Sequence, residues 1–288
     1  MKPATEFEVP PEQAGRRLDL FLAERLALSR RYVRRLLDRQ GVRLAGKPAG
    51  GGAALRARDR IEVLPFRHPD QGIIPEPGLP IQLIREQEGL VFVDKPAGIA
   101  VHPLDFDETG TLANAMLGRN PELREVGEGG LRPGVVHRLD IETSGVLCFA
   151  LREAAWRRAR EAFEARRAEK TYQARIHGLL RDEREVELRL ENRGRRVRVV
   201  ARGGRRSVTL IRPLASAQQE SLVEVRPVTG LRHQIRVTLA WLGHPVVGDR
   251  LYGSDRSLGR HLLHATRLRI GDAEANSAVP AGFELRTR

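Results

Sequence analysis

One stretch, Gly134 to Leu151 (GVVHRLDIETSGVLCFAL), leaves this chain fewer folding options than any other. Two apolar runs, Val135-Val136 and Val146 to Leu151, flank a polar centre. That centre holds His137, Arg138, Asp140, Glu142, Thr143 and Ser144, and Gly145 closes it. The second run is rich enough in β-branched and aromatic residues to form a buried strand. The polar centre is then a loop at the mouth of that strand, and loops held by a rigid scaffold often carry chemistry. Asp140 is the residue of interest. A carboxylate beside apolar walls needs an arginine or hydrogen-bond donors to offset the loss of water, and Arg138, Thr143 and Ser144 are close in sequence. Taken alone, the same residues also read as an ordinary turn, because Asp, Thr, Ser and Gly cap turns and helices everywhere.

Charge narrows the partner class. The 288 residues carry 50 Lys and Arg against 37 Asp and Glu, for a net charge of +13, which favours a polyanion, nucleic acid ahead of membrane. Only Lys2, Lys47, Lys95 and Lys170 are lysines, so the strong arginine bias also fits genome composition. The excess is densest at the start: residues 1–65 hold 14 basic and 8 acidic side chains, the remaining 223 hold 36 and 29. Cys148 is the only cysteine, which rules out an intrachain disulfide and points to a cytoplasmic protein. Its apolar neighbours make it a small core residue rather than a reactive thiol. No apolar run approaches the ~20 residues that span a bilayer, and MKPATEFEVP has no signal-peptide core.

From the residues, the first quarter reads as a short extended lead-in over 1–11, then two helices. RRLDLFLAERLAL, from Arg16, sets Leu18, Phe21, Leu22 and Leu26 on helical spacing. Ser29 is an N-cap for a second helix, RRYVRRLLDRQ, which Gly41 ends. Its apolar face is Val33, Leu36 and Leu37, and its other face carries Arg30, Arg31, Arg34 and Arg35. A solvated face is the ordinary reading of such a run, yet the helix has almost no acidic residues to neutralise it, and phosphates would relieve the repulsion. Short strands VRLAG and RIEVL follow, and Gly50 to Gly52 lack the Lys-Ser/Thr of a nucleotide-binding loop. Pro69, Pro75, Pro77 and Pro80 mark residues 66–80 as a linker. Beyond it, strands are expected at Ile81 to Arg85 and Leu90 to Lys95, and short or long helices at Thr111 to Leu117, Arg152 to Glu169 and Arg232 to Leu242. Residues 181–206, with seven arginines between Arg193 and Arg206, read equally as a flexible RNA-contacting hairpin or as a solvated loop. His261 and His264 are three apart but lack a carboxylate or Cys cluster, so no metal site is expected.

The motifs then carry a resemblance. HRLDIETSG, VDKPAGIAVHP and RPVTGLRHQIRVTLAWLGHPVVGDRLYG resemble segments of the RluA-type pseudouridine synthases, which modify ribosomal and transfer RNA. This similarity spans about residues 80–270. The segment over about 12–65 resembles the small RNA-binding domain named after ribosomal protein S-four. The resemblance implies an α+β protein: a small α+β S-four-like domain at 12–65, a linker at 66–80, and a catalytic domain at 81–288 with a mixed, largely antiparallel sheet. It implies that Asp140 is catalytic, that Arg236 pairs with it, that Tyr172 stacks on the target base, that Ile235 packs at the base site, and that Arg138 fills the space left by a flipped base. It also implies that Lys95 and Pro96 are structural, and that Arg30, Arg31, Arg34 and Arg35 grip RNA. Two departures stand out: Leu231-Arg232 replaces the family's Arg-Thr before His-Gln, and Ala45-Gly46 replaces its Asn-Gly. No metal, redox cofactor or nucleotide is implied, because the reaction rearranges uridine without electron transfer. The implied partner is structured RNA, large-subunit ribosomal RNA first and transfer RNA second, with the protein as a monomer. A non-enzymatic RNA-binding or ribosome-assembly protein is the competing reading. The joint presence of Asp140 and Arg236 argues against it, since binding alone requires neither together.

Overall fold

The computed structural model describes residues 1–255 and 258–285, and the chain divides into two compact units, Met1–Gly72 and Ile73–Arg288. In the first unit the expected extended lead-in pairs as an edge strand, β1 (Thr5–Glu8). Helices α1 (Leu18–Arg25) and α2 (Arg30–Asp38) follow, then β2 (Val42–Leu44), β3 (Lys47–Pro48) and β4 (Arg60–Val63). The sheet order is β1-β4-β2-β3. Phe7, on β1, meets Phe21 of α1 edge to face at 6.2 Å, which couples sheet to helix. α1 is shorter than its periodicity suggests, because Leu26 is already the C-cap and Ala27 turns left-handed at φ 53°. Ser29 caps α2 as expected, its hydroxyl accepting from the Tyr32 amide. Tyr32 joins Val33, Leu36 and Leu37 on the buried face.

The arginine face of α2 is not free of acid. Asp19, one residue into α1, has no exposed side-chain surface and lies 3.0 Å from Arg17, 3.3 Å from Arg30 and 3.5 Å from Arg34. The expectation of an almost unneutralised face therefore holds only within the helix; the counter-charge comes from its neighbour across the αα turn. The Arg17 hydrogen bond, aided by Arg30 against the cost of burial, pulls the Asp19 carboxyl down to about 2. Residues 66–80 are likewise more ordered than a linker. Phe66 and His68 are buried, and a 3-10 turn at Pro69–Gln71 is closed by a capping box from His68 and Gln71. Further on, the Glu76 amide donates to Asn114 at 2.8 Å within the second unit.

The second unit is built on a ten-stranded sheet of order β10-β9-β11-β12-β8-β13-β7-β6-β5, with β14 pairing β13. Its elements are β5 (Gln82–Gln87), β6 (Leu90–Lys95), α3 (Leu112–Arg119), β7 (Ser144–Ala150) and α4 (Glu153–Glu164). β8 (Glu169–His177), β9 (Arg184–Arg193), β10 (Arg196–Val199), β11 (Arg205–Ala217) and β12 (Glu220–Pro227) continue it. α5 (Gln234–Trp241), β13 (Leu263–Ile270) and β14 (Ala273–Asn276) complete it. Pairing is antiparallel everywhere except between β13 and β7. The β5–β6 hairpin turns through Glu88 and Gly89, both at positive φ (56° and 75°), as two-residue hairpin loops require.

Every residue of β7 is buried, which is why its sequence lacks alternation. At its start, Gly145 lies opposite Ala265 of β13, and a Cβ there would sit 2.2 Å from the Ala265 carbonyl oxygen. Only glycine admits that approach. Cys148 is fully buried and burial raises its thiol pKa, so it is an inert core residue. α4 packs on β7 and ends at Glu164, five residues before its expected end. It is closest to the sheet through Ala155, Ala159 and Ala162, while Trp156 and Phe163 are only half-buried.

Of the two readings of residues 181–206, hairpin and solvated loop, the structure shows a hairpin. β9 and β10 form a hairpin on the outer edge of the sheet, and β11 begins at Arg205. The signal lay in the period-2 pattern of Val186, Leu188 and Leu190, each buried between exposed charges. The interleaved charges hid that alternation.

The Asp19 hub gives a stability prediction. A carboxyl held below its unfolded value stabilises the fold above that value, and the gain is lost as pH falls through the folded one. Asp19→Asn is expected to cost the first unit about 1–2 kcal/mol near neutral pH, discounted because the guanidiniums are half-exposed. Amide hydrogen exchange in α1 and α2 should show this cost at pH 7 and show it shrinking toward pH 3. A constant cost would disprove the assignment.

Candidate active site

The polar centre of the first motif, with Leu139 and Ile141, forms the connection into β7, and three contacts immobilise it. The Ile141 carbonyl accepts from Lys95 Nζ and from the Gly98 amide, each at 2.8 Å. The Asp140 carbonyl accepts from the Thr143 amide at 3.1 Å, closing a turn. The turn reading of these residues is therefore met, and the turn presents the Asp140 side chain to a cleft. Behind the turn, Thr143 Oγ1 bonds His261 Nε2 at 2.8 Å, and Ser144 Oγ bonds His264 Nδ1 at 2.9 Å. His264 Nε2 lies 3.1 Å from Ser277 Oγ, which donates to Asp94 at 2.8 Å. The two histidines that lacked metal-ligand company thus latch the signature loop to β13. Among the described residues no group of His, Cys, Asp and Glu could hold a metal ion.

Lys95 has no exposed surface, and burial, only partly opposed by the Asp140 charge, pushes its pKa down to about 7. Its amine donates to the Pro96 and Ile141 carbonyls at 2.8 Å each, which a neutral amine can satisfy with its own two N–H bonds. The structural role expected for Lys95 is thereby given atoms: it props the loop that carries Asp140.

Asp140 opens into a cleft of about 750 Å³. Arg138, Tyr172, Ile235 and Arg236 line the same cleft, so the residues picked out in the second unit converge on one place. Arg30, Arg31, Arg34 and Arg35 lie in the other unit, on the outer face of α2. Arg236 Nη1 donates to Asp140 Oδ2 at 2.8 Å. The expected pairing with Asp140 is thus made through one nitrogen, and the two-pronged grip of the guanidinium goes to a different carboxylate. Arg236 Nε and Nη2 bond Asp249 at 2.7 and 2.9 Å, and Asp249, fully buried, also accepts from the Leu251 and Tyr252 amides. Burial would lower the guanidinium's pKa, but the two carboxylates outweigh it and raise it. Asp249 is held below the usual carboxylate range by Arg236 and the two amides, despite burial. Arg236 is thus a clamped cation with one free prong for Asp140. Asp249 was missed in the sequence because GDRLYG reads as a turn, and only the fold brings that turn under α5.

The remaining walls set the cleft's character. Tyr172 is only 9% exposed, and burial followed by the Asp140 charge raises its hydroxyl pKa. His137 stacks on Phe163 at 4.7 Å, and its Nε2 accepts from the Cys148 amide at 3.2 Å. Burial drops its pKa to about 3, so it is a neutral structural ring. Lys170, pushed down to about 8 by burial, donates to the Thr229 carbonyl at 3.1 Å. Arg138, Arg160, Arg205, Arg206 and Arg232 add positive charge around the cleft. An acid on the floor, an aromatic wall and a cationic surround suit a base whose phosphates remain at the rim.

Comparison with known proteins agrees with this geometry. A family model described as RNA pseudouridylate synthase matches residues 89–241, about half the chain and all of it from β6 to α5. The chain belongs to the RNA pseudouridine synthase family. Its resemblance to the RluA-type members holds across the length of the chain. An RNA pseudouridine synthase of Chloroflexus aurantiacus is 39% identical over 275 residues, covering 90% of this chain and 83% of its own. The ribosomal large subunit pseudouridine synthase D of Neisseria meningitidis is 32% identical over 291 residues, covering 94% and 76%. Among solved structures, the human RNA pseudouridylate synthase domain containing 1 superposes with a TM-score of 0.56 at 28% identity, over 70% of this chain and 86% of that one. The chain is therefore an RNA pseudouridine synthase, and its α+β architecture is the one its motifs implied. No helix among the described residues is long and apolar enough to cross a membrane.

Lys95 supplies a test of the loop's support. Below about pH 7 the folded protein carries a buried ammonium; above it the folded state sheds that proton while the unfolded chain holds it to the usual 10.5. Stability should rise with pH in that window through this group. The melting temperature of the wild type relative to Lys95→Met is expected to climb between about pH 7 and pH 10. A flat difference would place the ammonium in contact with water.

Proposed function

We propose that Asp140 is the catalytic carboxylate for uridine isomerisation in structured RNA, with large-subunit ribosomal RNA as the substrate and transfer RNA second. The observation that carries this is Asp140 lining a cleft of about 750 Å³, 2.8 Å from a guanidinium whose other prongs are already committed. The relatives named as ribosomal large subunit synthases support the choice of RNA.

In the reaction the bond from N1 of uracil to C1′ of ribose breaks, the base turns, and C5 bonds C1′ instead. A proton leaves C5 and N1 gains one, so atoms and electrons balance with no co-reactant. A stacked base is out of reach, so the uridine is flipped into the cleft. Arg138, exposed beside Asp140, occupies the space it leaves and holds the backbone. Tyr172 stacks on the base, a contact worth about 1–3 kcal/mol. Ile235 packs at the base site, and Arg236 pairs with Asp140 and aims it. The first unit acts as an S-four-like domain whose Arg30, Arg31, Arg34 and Arg35 meet phosphates, with Asp19 holding two of them in place. The protein works as a cytoplasmic monomer.

Asp140→Asn preserves shape and removes the charge. It is expected to abolish pseudouridine formation while RNA affinity stays within a few-fold, as read by pseudouridine mapping and filter binding. Substantial remaining product would sink the assignment. Replacing Arg30, Arg31, Arg34 and Arg35 together by Ala should weaken RNA binding and flatten its salt dependence by about 0.7–0.9 in logarithmic slope for each phosphate no longer neutralised. An unchanged slope would remove the first unit from the RNA-binding surface.

A further inference from the structure

His233 precedes α5 and takes no part in the mechanism above, yet it is the residue whose backbone is most constrained near Asp140. It stands at φ 53°, ψ 16°, a left-handed conformation that a non-glycine side chain adopts at a cost and that clusters at functional sites. Its Nε2 lies 3.9 Å from Asp140 Oδ1, the oxygen that Arg236 leaves unbonded. Its Nδ1 lies 2.8 Å from the Tyr252 hydroxyl. That hydroxyl also accepts from the Val197 amide of β10 at 2.7 Å. Tyr252 in addition places its ring 5.3 Å from the Arg236 guanidinium.

A peptide N–H can only donate, so the Tyr252 oxygen accepts from Val197. In the arrangement inferred below, its own hydrogen goes to His233 Nδ1. Nδ1 is then bare, and the neutral ring carries its proton on Nε2, the atom that faces Asp140. Burial, which outweighs the Asp140 charge, lowers the His233 pKa to about 4 and agrees with the neutral form. The donor of this chain is on the β9–β10 hairpin, and Arg232 fastens the same hairpin by donating to the Gly194 and Arg195 carbonyls at 2.8 and 2.9 Å.

We infer that His233 is a positioning residue for the reaction: its Nε2–H, set by Tyr252 and the Val197 amide, is a second donor for Asp140 that engages when the β9–β10 hairpin is loaded by RNA. The hairpin is an edge of the sheet rich in arginine, a surface that attracts phosphates, and its strand β10 holds Tyr252 through the Val197 amide. A shift of under about 1 Å brings Nε2 from 3.9 Å to hydrogen-bond range of Oδ1. Asp140 would then have both oxygens held, one by Arg236 and one by His233, at the moment substrate is present.

This inference rests on Asp140 as the acting carboxylate, and the test separates the two. Tyr252→Phe keeps the ring against Arg236 and removes only the hydroxyl. On an RNA substrate it is expected to lower kcat about tenfold with KM within twofold. His233→Gln, whose amide can reach where Nε2 stands, should retain several-fold more kcat than His233→Ala, with equal melting temperatures. Long-range proton–nitrogen correlation spectra, with the His233 signals assigned by their loss in His233→Gln, should show Nε2 protonated and Nδ1 bare in the wild type. In Tyr252→Phe they should show a mixture of tautomers. A protonated Nδ1 in the wild type, a normal kcat in Tyr252→Phe, or equal kcat for the Gln and Ala variants would overturn the inference. If those variants behave normally while Asp140→Asn is inactive, only the His233 role fails; if Asp140→Asn is active, the reading beneath it fails.

Discussion

Everything at the cleft hangs on one clamped cation. A guanidinium with little access to water needs compensation on every side, and Arg236 receives it from Asp249 at two nitrogens, from Asp140 at a third and from the Tyr252 ring. Because Asp249 takes the bidentate geometry, Arg236 cannot rotate to follow Asp140; Asp140 must come to it. An oriented acid is thereby obtained without surrounding that acid by protein. Asp140 keeps one oxygen free of Arg236 and part of its surface facing the cleft.

The sheet serves the same end. β13 carries His264 and follows directly on His261, and it lies alongside β7 in the only parallel pairing among the described strands. The approach is so close that position 145 must lack a side chain. The loop before β7 is therefore stitched from behind by Thr143 and Ser144, from the side by Lys95, and from the front by Arg236. Such a loop reorganises little when charge moves, which is the physical basis of electrostatic catalysis.

Local patterns were legible wherever the chemistry is short-range. Ser29 caps the helix it precedes, the apolar stripe of α2 faces inward, and a short helix follows Thr111, because each depends on a few neighbouring residues. Misreadings occurred where one signal masked another. The charges interleaved with Val186, Leu188 and Leu190 concealed strand alternation, the prolines of 66–80 concealed a capped turn, and the α2 arginines concealed Asp19 eleven residues upstream of Arg30. Helix ends drifted for a related reason: α5 begins at Gln234 because His233 is left-handed, and side-chain periodicity carries no trace of that angle.

The reaction class and the identity of the central pair were already written in the order of the residues. A motif of nine residues around Asp140 and a second around Arg236 resemble the family's, and the fold brings these two residues, 96 apart in the chain, within 2.8 Å. The wiring between them emerged only on folding: Asp249 rather than Asp140 takes the bidentate grip, a buried lysine props the loop, and Val197, Tyr252 and His233 form a chain of hydrogen bonds that starts at the Val197 amide. A sequence names residue types, but the direction of a hydrogen bond depends on which neighbour can only donate. That neighbour is a backbone amide brought in by the sheet.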